Sequence, residues 1–129
     1  MSSALPSTLQ QLDANHEILK ILIENSFDSI LITDATLEGK IIYANDAFTK
    51  LTGYEIDEVI GKTPRILQGK ATEKKVIDRL TRSLKEGGSF EGKTINYRKD
   101  GSPFIMYWRV LPIKKGQTVF AWIAIQNGL

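Results

Sequence analysis

Apolar and polar positions alternate in two ways along this chain, and the change of period marks its elements. Between Ser7 and Asn25, Leu9, Leu12, His16, Leu19 and Ile23 recur at steps of three and four, which predicts a helix with one apolar stripe. That stripe either docks on the rest of the domain or forms a short coiled-coil seam with a second chain. Ser29 to Thr33 holds the run Ile30-Leu31-Ile32 and reads as a buried strand. Leu37-Glu38-Gly39-Lys40 turns the chain into a second strand, Ile41 to Ala44. Asn45 is placed to cap a helix from Asp46 to Thr52, with Gly53 as its stop, and a short helical piece covers Glu55 to Ile60. Thr72 is the expected cap of a longer helix to Glu86, with Val76, Ile77, Leu80 and Leu84 on one face and Gly87-Gly88 ending it.

Period two then takes over. Phe90 to Lys99 joins Ser102 to Ile113 through an Asp100-Gly101 hairpin signal, and Lys114 to Gln117 turns into a last strand, Thr118 to Asn127. Two strands, a patch of small helices, one longer helix and a three-strand meander predict an α+β domain. Its expected form is a five-stranded antiparallel sheet with helices on one face, plus an N-terminal helix. Residues 1–26 read as that flanking helix, for docking or dimerisation, and 27–129 as the main domain. If Asn96 faces inward, strand alternation also turns Met106, Trp108 and Val110 inward, and Trp122, Ala124 and Gln126 from the last strand.

Composition narrows the chemistry. With 129 residues, 42% hydrophobic and 25% charged, the chain is one domain large enough to bury a core. Its net charge of +2 is not gathered into a basic run, which gives no reason to expect nucleic acid or a membrane surface. No apolar run is long enough to span a bilayer, and the first residues lack the pattern of a signal peptide. Zero cysteine removes disulfides and thiolate chemistry and fits a cytoplasmic address. With one histidine, His16, on an apolar stripe, neither a Cys-His pair nor a His/Cys metal cluster can form, and a Ser-His-Asp triad has no motif to sit in. Gly61-Lys62-Thr63 is not a phosphate-binding P-loop, because Ile56 stands where its first glycine belongs and Pro64 breaks the helix it needs. Asp28, Asp34 and Asp46 lie near element ends, where capping is the ordinary role. An enzyme is not expected.

Four stretches carry a family resemblance. They are Asn45-Asp46-Ala47-Phe48 with Leu51-Thr52-Gly53-Tyr54, then Gly61-Lys62-Thr63-Pro64-Arg65-Ile66-Leu67-Gln68-Gly69, then Asn96 to Phe104, and Ile123-Ala124-Ile125-Gln126. Together they resemble the PAS sensor family over roughly Ile30 to Asn127, and within it the blue-light (LOV) branch. In that branch a reactive cysteine precedes the arginine of the second stretch, and here the position is Pro64. The resemblance implies a sensory module of a larger signalling protein, binding a flavin (FMN ahead of FAD). It places Arg65 on a phosphate, Gln68 and Thr63 on the ribityl chain, and Asn96 and Gln126 on the ring's edge. The family has an amide where this chain has Met106, smaller aromatics at Trp108 and Trp122, and often glycine at Ala124.

Two indoles and a thioether could either fill the flavin's space or wall it. Without a thiol no covalent flavin–cysteine bond forms, so signalling would start from ligand occupancy or from flavin redox change. Trp108, Trp122 or Tyr107 would then be the electron donor, with Gln126 rotating its amide in response. The alternative is a module with a filled or differently occupied pocket that serves dimerisation, as a homodimer through the N-terminal helix, and signal relay.

Overall fold

A computed structural model describes residues 15–36 and 38–129. The elements, in chain order, are α1 (Asn15–Glu24), β1 (Ser29–Asp34), β2 (Ile41–Ala44), α2 (Asp46–Thr52) and α3 (Ile56–Val59). They are followed by a 3-10 helix (Pro64–Leu67), α4 (Lys74–Lys85), β3 (Phe90–Tyr97), β4 (Pro103–Lys115) and β5 (Thr118–Gly128). The five strands form one antiparallel sheet in the order β2-β1-β5-β4-β3, so the two halves of the chain meet where β1 pairs with β5. This is the expected α+β architecture. Part of the predicted first helix, with Leu9 and Leu12, lies outside the described residues, as does the side chain of His16.

Local chemistry explains most boundaries. Asn45 Oδ1 accepts from the Phe48 N–H at 3.1 Å and so caps α2, as the sequence predicts. Gly53 closes that helix at φ 79°, where its N–H reaches the Thr49 carbonyl and a side chain would be strained. Pro64 opens the 3-10 helix, a position where its missing N–H costs nothing. The start of α4 differs from the prediction. Glu73, not Thr72, precedes it, with no side-chain cap. The Thr72 hydroxyl is instead engaged by β3, donating to the Ile95 carbonyl at 2.7 Å and accepting from the Gly69 N–H at 2.9 Å.

The inner face of the sheet and the small helices enclose the core. Leu31, Ile41, Phe48, Val59, Leu67 and Met106 are each essentially fully buried. Inner positions of β4 alternate as predicted, with Phe104, Met106, Trp108 and Val110 buried while Ile105, Tyr107 and Arg109 are exposed. The exception is α4, which buries no residue fully although it is amphipathic. Its predicted face, Val76, Ile77, Leu80 and Leu84, is only half-buried, because three of these residues border a cavity rather than a closed core.

Candidate functional site

That cavity holds about 440 Å³, within the roughly 300–1,000 Å³ of small-molecule sites. The sheet supplies Trp108 and Val110 from β4 and Trp122, Ala124 and Gln126 from β5. Helix α4 supplies Ile77, Leu80 and Leu84 opposite. The two indoles therefore wall the space without filling it. Trp108 is held by Phe90, with ring centroids 5.0 Å apart, and both tryptophans are buried at 6% and 8% exposure while still bordering the cavity. Flat aromatic walls of this kind suit a planar conjugated ligand.

The polar side chains sit at the ends. Gln126 is 3% exposed, and its Oε1 accepts from the Ser29 hydroxyl at 2.9 Å, which leaves its amide nitrogen as the donor end for the cavity. Thr63, Pro64, Arg65 and Gln68 line the space from the 3-10 helix and its flanks. Arg65 is exposed at this rim, and no ion pair among the described residues engages it. Backbone turn geometry thus sets a guanidinium and a glutamine on one wall. Pro64, at the position of the family's cysteine, brings no reactive group.

Asn96 and Met106 do not border the cavity. They close on each other instead: Asn96 Nδ2 donates to the Met106 sulfur at 3.3 Å, and Asn96 Oδ1 lies 3.4 Å from the Thr72 hydroxyl, whose proton goes to the Ile95 carbonyl. The reason is register. Thr94 pairs with Met106 and Asn96 with Phe104, so Asn96 and Met106 are diagonal neighbours on the inner face, within reach of a long side chain. Tyr107 is on the other face of the sheet, where its hydroxyl donates to Glu91 and burial is slight, which takes it away from the cavity. Burial leaves no polar side-chain atom orphaned among the described residues, so each buried amide is placed by a protein partner or open to the cavity.

Sequence reasoning missed the outer part of the site. Thr33 of β1, Thr36, Glu38 and Gly39 of the β1–β2 turn, and Thr81 and Lys85 of α4 also line it. Nothing in their local patterns marks them, because they are brought together only by the β1–β5 pairing and the crossing of α4. Asp34, which neighbours this turn, has the structural role expected of it. Its carboxylate accepts from the Thr36 hydroxyl at 2.6 Å and from the Lys40 N–H at 3.0 Å, and the Thr36 bond leads in holding its pKa below the usual value.

An antiparallel sheet with a ligand-sized cavity between it and the crossing helices is the layout of a small-molecule-binding domain. The family model of the PAS domain matches residues 28–127, and the chain belongs to that family, in its LOV-like branch without cysteine. It is 33% identical over 114 residues to Phototropin-1B of Oryza sativa subsp. japonica, covering 88% of this chain and 12% of that protein. It is 43% identical over 86 residues to a blue-light-activated histidine kinase of Brucella anthropi, covering 66% of this chain and 18% of that one. The chain thus spans under a fifth of the length of these curated relatives. Among solved structures, the LOV domain of the Erythrobacter litoralis EL346 blue-light-activated histidine kinase superposes with a TM-score of 0.76 at 29% identity, covering 79% of this chain and 95% of that one. Among the described residues no helix is long and apolar enough to cross a membrane.

Proposed function

We propose that this domain is a flavin-binding sensory module of a larger signalling protein, one that signals without a cysteinyl bond. The observation that carries the reading is the cavity of about 440 Å³ walled by Trp108 and Trp122, with the Gln126 amide at one end and the exposed Arg65 guanidinium at the rim. The donor set fits the ligand in parts. Arg65 offers a fork of N–H groups to a phosphate. Gln68 and Thr63 offer short polar partners to a ribityl chain. Gln126 reads the ring's edge, while Asn96 joins it only if its contact with Met106 opens.

A bound flavin would supply light absorption and one-electron redox chemistry, with Trp108 and Trp122 as the neighbouring donors. The chain's own part is the response at Gln126. If the ring's edge exchanged an acceptor for a donor, the Gln126 amide would turn and release the Ser29 hydroxyl. Ser29 opens β1; the next residue, Ile30, donates its N–H to Asn45 Oδ1 at 2.9 Å, and Asn45 Nδ2 donates to the Ile23 carbonyl at 2.8 Å. A hydrogen-bonded path therefore leads from the cavity to the C-terminal end of α1.

The test is reconstitution. Purified protein incubated with FMN and desalted should retain a visible flavin spectrum, and Arg65→Ala should weaken FMN by about tenfold or more while changing riboflavin little. Protein that stays colourless with every flavin offered sinks the reading.

A second reading, dimerisation through α1, is favoured by a separate observation. Leu19, Ile21 and Leu22 are 56%, 57% and 64% exposed on that helix.

A further inference from the structure

A net charge of +2 hides how unevenly this chain is charged. Between Lys62 and Lys85 it carries eight of its 17 lysines and arginines but only two of its 15 carboxylates, Glu73 and Asp78, which makes that stretch net +6. Nine cations and 13 carboxylates lie outside it, net −4. All eight cations of the stretch are exposed. No dense run announces them in the sequence, and helix geometry gathers half of them. At about 3.6 residues per turn, Lys74, Lys75, Arg82 and Lys85 fall within an arc of about 100° on one side of α4. Ile77, Leu80 and Leu84 take the opposite side and border the cavity. Asp78 is the carboxylate inside the basic arc, and Lys74 Nζ lies 3.1 Å from it. No ion pair among the described residues engages Lys75, Arg82 or Lys85. Arg79, beside the arc, is committed to the Glu91 carbonyl and the Phe90 ring.

We infer that this outer face of α4 docks a nucleic acid through its phosphate backbone, without reading its bases. Charge complementarity carries the argument. The basic arc runs about 16 Å along the helix axis, a length over which one strand of a duplex presents about five phosphates. Cations held this close repel one another, and a polyanion of matching spacing relieves them. The rest of the face disfavours other acidic partners. None of the large apolar side chains that stand exposed among the described residues lies on α4. A protein partner would ask for an apolar centre to the contact, and a membrane surface for apolar side chains beside the basic ones. The helix also carries no aromatic residue, so bases find nothing there to stack on and the contact stays with the phosphates. The inference does not depend on what the cavity holds.

Fluorescence anisotropy tests this with two labelled probes of mixed sequence, a DNA duplex of about 20 base pairs and an RNA strand of about 20 nucleotides. One or both should bind with micromolar affinity at low salt. The logarithm of the binding constant should fall against that of salt with a slope of about −3 to −4, from about four phosphate contacts. Lys75→Glu with Arg82→Glu should weaken binding by about tenfold or more and take about two units from the slope. Lys75→Gln with Arg82→Gln, which removes the charges without reversing them, should act in the same direction by less. Lys20→Glu with Lys50→Glu, off this face, should leave binding within about threefold. All four side chains are exposed, and a thermal melt of each double variant checks its fold. Binding of neither probe at low salt overturns the inference. Equal weakening by the two glutamate pairs overturns it as well, since the attraction would then belong to the chain as a whole. Tighter binding of vesicles of phosphatidylserine and phosphatidylcholine in equal parts, or of polyglutamate, overturns it too and gives the face to a membrane or an acidic protein.

Discussion

Glu58 shows how a single half-buried side chain fastens α3 to the β3–β4 turn. It accepts from the Glu55 N–H at 2.9 Å, completing the capping box of α3, and from Lys99 Nζ at 2.6 Å, which reaches over from the β3–β4 turn. The Lys99 bond leads in lowering the Glu58 pKa from its usual 4.5, and the same bond leads in raising that of Lys99 from 10.5. A carboxyl with a depressed folded pKa contributes stability that is complete above the unfolded value and lost as pH falls through the folded one. A raised lysine contributes below its unfolded value and loses this as pH rises through its folded one. The pair therefore supports the fold between about pH 4.5 and 10.5, with a loss on each flank. Thermal midpoints measured against pH should fall more steeply below pH 4.5 for the wild type than for Glu58→Gln, which keeps the cap but not the charge. High salt should narrow the gap, because the pair is partly exposed. Parallel acid limbs for the two proteins would remove Glu58 from the account. This contact was not legible in the sequence, where Glu58 and Lys99 lie far apart. Trp108, Trp122 and Gln126 were legible as inward, because strand alternation needs only the period. The closing of Asn96 on Met106 was not, because it depends on the pairing register of two strands.

At the scale of elements, α4 is the least deeply packed wall of the cavity. Its apolar face borders a cavity, so hydrogen bonds to β3 carry a larger share of its attachment than in a helix packed on a closed core. Thr72 donates to the Ile95 carbonyl, the Glu73 N–H donates to Thr94 Oγ1 at 2.8 Å, and Arg79 Nη1 donates to the Glu91 carbonyl at 2.8 Å while its guanidinium lies 4.7 Å from the Phe90 ring centre. The displaced cap at Thr72 follows from this arrangement: the hydroxyl serves the sheet, and the helix starts later. The 3-10 helix was unread for a related reason, since four residues offer no period and only Pro64 at its first position hinted at it. Thr94 is 3% exposed, so Thr94→Val keeps the shape and strips one acceptor from the Glu73 N–H. The change should lower unfolding free energy by about 1 kcal/mol in denaturant melts. Hydrogen exchange in the first turn of α4 should quicken more than in β4. Unchanged stability and exchange would mean that apolar packing alone holds this wall.

Among the described residues, helix α1 and the outer face of the sheet leave large apolar side chains exposed. Within its described part, Asn15–Glu24, helix α1 has no described side chain that is fully buried. Its C-terminal end is tied to the domain by Asn45 Nδ2 on the Ile23 carbonyl. Farther along, Leu19, Ile21 and Leu22 stand more than half exposed, and Phe27 just after the helix is fully exposed. The sheet's outer face adds Ile105 and Tyr107 at 45% and 36% exposure. A helix that is tethered at one end and apolar beyond it is stabilised when a second helix of the same kind covers it, by about 1.5–3 kcal/mol for each large side chain fully buried. The expectation is a homodimer through α1, which also gives the path from Gln126 to Ile23 something to act on. Sedimentation of the wild type should show a concentration-dependent dimer, and Leu19→Lys with Leu22→Lys should yield a monomer whose unfolding, measured at concentrations where the wild type is also monomeric, is unchanged. Loss of stability in that monomer would instead place the stripe on its own domain. A double variant that stays dimeric would move the interface to another surface, with the outer face of the sheet, through Ile105 and Tyr107, as the next to be changed.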